Sequence, residues 1–118
     1  MELARSKKYI IKNEWEIAYL FDAKTGQQIA EIAKFFEGDP GDAKISDDEK
    51  YCVVVGWGAI IYKLQPPFTD YLPGLKPVQW QKYLVDGDIW FEEIKEINSR
   101  YVTLISENGE EYRINVYI

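Results

Sequence analysis

A chain of 118 residues fits one domain of ordinary size, long enough to bury roughly two-thirds of its unfolded surface. Its 47% hydrophobic and 29% charged content is globular rather than disordered, and no apolar run approaches the roughly 18 residues of a membrane-spanning helix. With no histidine, one cysteine and a formal charge of −6, the chain is unsuited to Ser-His-Asp catalysis, to an internal disulfide, to most zinc or copper centres and to a phosphate backbone.

The first residues, 1–12, carry Arg5, Lys7, Lys8 and Lys12 and read as a loose basic arm. No apolar stretch follows before Asn13 and Glu14, so no secretory signal is expected in them. Trp15 to Phe21 is aromatic and β-favouring, and Trp15 reads as core. Asp22 to Gly26 is a turn with Gly26 free to take positive φ. The return segment, residues 27–36, fits two readings. Ile29, Ile32, Ala33 and Phe36 fall at helical spacing behind a Thr25/Gln28 capping pattern, whereas the compact turn favours a hairpin through Ile32; the hairpin is preferred.

Glu37 to Asp42 is a loop, and Ser46 to Lys50 a polar turn. Tyr51 to Trp57 is a buried strand whose valine run expects cover on both faces. Cys52 within it reads as a small buried hydrophobe, consistent with a reducing, cytoplasmic setting. Gly56 and Gly58 mark a tight turn or bulge around Trp57, which reads as core, before Ala59 to Leu64 resumes as strand. Residues 65–77 hold Pro66, Pro67, Pro73 and Pro77 and make a long irregular connection, with a short helix from Val78 to Leu84. Ile89 to Ile97 and Tyr101 to Ile105 are strands, with Trp90 core. Glu107 to Glu110 is a hairpin turn, and Tyr112 to Ile118 alternates as a half-buried last strand. The expected fold is mainly β: an antiparallel meander, half-barrel or small sandwich of about seven strands in one domain, with at most one or two short helices, α+β being the alternative.

The segments Phe21 to Gln27, Ile45 to Gly56 and Ile60 to Leu64 together resemble one blade of a β-propeller repeat, over roughly residues 15–64. A propeller ring needs several blades, and a single copy is apparent, so the resemblance implies a four-stranded antiparallel meander and no particular function.

Reaction chemistry finds little support. Glu37, Asp39, Asp42, Asp47, Asp48 and Glu49 fall close together but lack the frame of an EF-hand loop, so no metal or cofactor is expected. Glu92 and Glu93 would face opposite sides of a strand. What remains is recognition, because nine tyrosines and four tryptophans supply stiff contact surface beside many carboxylates. The expected partner surface joins Glu37, Asp39, Asp42, Asp47, Asp48 and Glu49 to Phe68, Asp70, Tyr71, Trp80 and Tyr83, with the acids of Asp86 to Glu96 as a second patch. The expected function is protein binding, most specifically by an immunity protein or inhibitor that neutralises a basic toxin or nuclease by occluding its active surface. The alternative is an assembly module that self-associates or pairs through its last strand; a small-molecule pocket ranks third. Neither nucleic acid nor membrane is an expected partner.

Overall fold

The computed structural model describes residues 1–72 and 79–118, and there the chain is all β. Eleven strands form three antiparallel sheets, each a contiguous stretch of chain. The first sheet is β1 (Glu2–Arg5), β2 (Tyr9–Glu14), β3 (Ile17–Asp22) and β4 (Gln28–Lys34). The second is β5 (Asp42–Ile45), β6 (Tyr51–Gly56), β7 (Gly58–Lys63) and β8 (Trp80–Tyr83). The third is β9 (Phe91–Ile97), β10 (Tyr101–Ser106) and β11 (Glu111–Asn115). Every hydrogen-bonded neighbour within a sheet is also its neighbour in sequence.

The sheets stack as three layers with two cores. Ile11, Leu20, Ile32 and Phe35 of the first layer meet Cys52, Val54, Ile60 and Tyr62 of the second. The opposite face of the second layer (Val53, Val55, Ile61) meets Phe91, Ile94, Val102 and Leu104 of the third. The middle sheet is therefore covered on both faces, which is why β6 reads as an uninterrupted apolar run and is buried throughout. The first strands of the layers adjoin, β1 against β5 and β5 against β9.

Several expectations change. The described strands number eleven rather than about seven: β1, β5 and β8 are only four residues long and too short to show alternation in sequence, and β2 lies largely in the segment read as a basic arm. Residues 1–12 are not a loose arm: they supply β1 and most of β2, registered through Arg5↔Ile10. Within the 27–36 segment, Gln28–Lys34 is a strand, β4, as the hairpin reading expects, and Phe35 and Phe36 lie beyond its end. The helix expected at Val78–Leu84 is replaced by β8, where Tyr62↔Trp80 pairing buries an aromatic that a solvent-facing helix would expose. Pro73, Pro77 and Val78 lie outside the described residues.

The blade-like segment is not one sheet. It straddles two, ending the first layer and opening the second. The single copy expected from sequence gives way to a repeat: the second strand of each layer is led in by a basic residue and opens on tyrosine, at Lys8-Tyr9, Lys50-Tyr51 and Arg100-Tyr101. Trp15 and Trp57 occupy matching turns of the first two layers. These second strands begin at Tyr9, Tyr51 and Tyr101. Among the described residues no helix is long and apolar enough to cross a membrane.

Candidate functional site: an acidic, aromatic end of the stack

The sequence-adjacent acids do not gather in one place. β5 runs from Asp42 to Ile45, and at about 3.3 Å per residue it carries Asp47, Asp48 and Glu49 to the end of the stack opposite Glu37 and Asp39. Three of the six are committed to structure. Asp42 accepts the backbone N–H of Ile94 at 2.9 Å, tying β5 to β9. Asp48 accepts Ser46 Oγ at 2.7 Å and Lys50 N at 3.0 Å inside its own turn, which holds its carboxyl below the usual range. Glu49 accepts Ser6 Oγ at 2.5 Å and Lys8 N at 2.9 Å, and the same bonds lower its pKa. Asp47 is exposed at that far end.

The aromatic half of the expected surface also divides. Tyr71 and Trp80 are corrected from contact anchors to core: they are 3% and 4% exposed and meet edge to face at 5.2 Å within the first interlayer core. Phe68 is half-buried against Tyr9 at 6.2 Å, and Tyr83 half-buried against Phe91 at 6.3 Å. Asp70 accepts Glu31 N at 2.9 Å and so covers the edge of β4.

The end that holds Glu37 and Asp39 has a different character. Here converge the β2–β3 turn (Trp15, Glu16), the β4–β5 connection (residues 35–41), the β6–β7 turn (Trp57), the β8–β9 connection (residues 84–90) and the β10–β11 turn (residues 107–110). These segments contribute Glu16, Glu37, Asp39, Asp86, Asp88, Glu107 and Glu110 and contain no lysine or arginine. Trp15 and Phe36 are neighbours on it, because Phe35 N donates to Glu16 O at 3.1 Å. They are 76% and 63% exposed. Trp15, expected in the core, is outside it because it occupies the tip of a two-residue hairpin at φ 54°.

Beside Phe36, between the 35–41 and 84–90 connections, lies an open cleft of about 420 Å³ lined by Phe36, Glu37, Trp57, Asp86, Gly87 and Asp88. Its floor is fixed. Trp57 Nε1 donates to Glu37 O at 2.9 Å and its ring packs edge to face on Trp90 at 5.3 Å. Asp86 N donates to Trp57 O at 2.8 Å, and the Asp86 carboxylate accepts Phe36 N at 3.0 Å, which presents the Phe36 ring to solvent. The close approach needs Gly58: at φ +106°, a Cβ there would sit 2.5 Å from Leu84 O. Leu84 and Asp86 hold φ of 50° and 58°, a cost that persists only where the surroundings over-determine the backbone. The cleft thus unites part of each expected patch, Glu37 with Asp86 and Asp88, while Glu93 and Glu96 sit on β9 opposite Ile105 and Thr103.

Phe36 and the exposure of Trp15 are what sequence reasoning missed. The signal was present in the matching positions of Trp15 and Trp57 before their third strands, which mark both as turn residues.

Among the described residues no three His, Cys, Asp or Glu side chains converge as a metal-binding group. The lone Cys52 is buried, and burial pushes its thiol pKa up, so it is a poor nucleophile. Chemically the acidic end can attract cations and offer aromatic faces to them. Comparison of the chain with family models, with curated proteins and with solved structures finds no match.

Proposed function

We propose that this domain binds a basic protein through its acidic, aromatic end and acts by occlusion. In its most specific form it is an immunity protein or inhibitor that covers the cationic, phosphate-recognising surface of a toxin or nuclease. One observation carries the reading: five connections from three layers, none of which contains a lysine or arginine, bring carboxylates around the exposed rings of Trp15 and Phe36, and the Lys34 ammonium at the end of β4 already lies 5.8 Å from the Phe36 ring centroid. Carboxylates steer encounter with a cationic surface, aromatic anchors slow dissociation, and lysine or arginine can lie against either. No step of this mechanism needs a cofactor or a reacting residue.

The test is capture at low salt from the lysate of the source cell, with wild type and a Glu37→Lys/Asp88→Lys variant run in parallel. One basic protein retained by the wild type, released by salt and absent from the variant is the expected result. Identical recoveries from both baits overturn the proposal.

A further inference from the structure

The three layers are not equal. The first two end on a fourth strand, β4 and β8, whereas the third has three, and among the described residues no strand pairs with the far side of β11. The other edges are managed, that of β8 by the exposed Lys82 within it. Asp70 and Tyr71 cover β4 through Glu31 N and Glu31 O, at 2.9 and 2.8 Å. β5 adjoins both β1 and β9, and β1 carries a bulge besides. β11 has no proline, bulge or lysine of the kind that blunts an edge.

The backbone groups on that edge can be identified. Ser106 N donates to Glu110 O and Val116 N to Arg100 O at the two ends of the β10–β11 ladder. Alternation in an antiparallel pair then turns the N–H and C=O of Glu111, Arg113 and Asn115 away from β10. Asn115 is already engaged, since its carbonyl accepts Gln81 Nε2 at 2.7 Å. The open groups belong to Glu111 and Arg113.

We infer that β11 pairs antiparallel with β11 of a second copy, about a two-fold axis at Tyr112, to give a continuous six-stranded sheet. The sequence of the strand sets the register. Centred on Tyr112, each Glu111 lies opposite the other copy's Arg113, both residues exchange backbone hydrogen bonds, and the opposite charges meet twice. Centred on Arg113, the register would oppose two guanidinium groups and demand the carbonyl that Gln81 holds. Tyr112, edge to face on Phe91 at 5.3 Å, then meets its counterpart on the inner side, extending the second core. In the monomer Glu111 pairs with Lys95, and Arg113 lies 4.1 Å from the Tyr101 ring centroid, both on the outer face, so both can turn toward the new strand. The inference is independent of the inhibitor reading, because the edge of β11 is separate from the cleft.

Sedimentation velocity of the full chain tests it, over about 1 µM to about 1 mM, the range of a weak pairing interface. A reversible dimer is expected. Glu111→Arg and Arg113→Glu should each weaken it by about tenfold or more, because two like-charged contacts replace two pairs. The double exchange Glu111→Arg/Arg113→Glu should restore it. Far-ultraviolet circular dichroism confirms that each variant is folded, and capture of a basic partner should be unchanged by either exchange. A monomer throughout the range overturns the inference, as does a dimer indifferent to both single exchanges or one the double exchange fails to rescue.

Discussion

Glu49 joins two layers with one carboxylate, taking a hydroxyl and a backbone N–H from the β1–β2 turn while itself sitting at φ 57° in the β5–β6 turn. Its folded pKa lies below its unfolded value, so its contribution to stability is complete above the ordinary glutamate range and is lost as pH falls through it. Glu49→Gln should therefore flatten the acid limb of stability below about pH 5, as read by denaturant midpoints across pH. Buried tyrosines act with the opposite sign. Burial, helped by the Asp48 charge, pushes Tyr51 up to about 12, and burial does the same for Tyr71. Their neutral forms belong to the fold, so stability is full below about pH 10 and declines as pH rises toward 12. Phenolate absorbance should show at least two tyrosines that ionise only near 12 in the folded chain. Trp80→Ala should destabilise by about 3–5 kcal/mol in denaturant melts, as expected for a truncated core aromatic. Retention of wild-type stability would place Trp80 back on the surface.

At the scale of elements, most of the longer strands were legible in sequence and the four-residue ones were not; β2, six residues long, was hidden by the lysines before and within it. β6, β10 and β11 announce themselves through apolar runs or alternation. β1 and β5 are four residues each with charges inside them, and only cross-strand pairing makes them strands. β8 shows tertiary pairing overriding a helical start signal. The candidate site was half legible for a related reason. Acid and aromatic content could be read from composition, but which acids share a surface depends on strand direction, and β5 sends neighbours in sequence to opposite ends. The turn around Trp57 gives an element-scale prediction. Gly58→Ala should cost well above about 1 kcal/mol, since the residue has left-handed backbone and the added carbon meets Leu84 O. It should also loosen the 84–90 connection, measurable as faster amide exchange at Asp86. Unchanged exchange there would mean the cleft floor does not depend on that approach.

For the whole molecule, the middle sheet is the structural centre. Covered on both faces, β6 and β7 should show the slowest amide exchange, while the first and third sheets, each with one outer face, open at lower free energy. Equal protection across all three would deny the layered organisation its energetic meaning. Charge is arranged along the stack as well. The opposite end mixes Lys7, Lys8, Lys24, Lys50 and Arg100 with its acids, so the domain has one attractive pole for cations rather than a uniformly negative surface.

That each layer is one unbroken stretch of chain bears on how the protein is made. Emerging from the ribosome, the first sheet can pair all its strands before residue 42 is synthesised, yet its apolar face around Ile11, Leu20 and Ile32 has nothing to pack against. It must wait for the second sheet, which in turn waits with Val53 and Ile61 uncovered until the third appears. Nascent chains halted between layers should therefore be the species that chaperones bind, and the completed third layer the event that releases them.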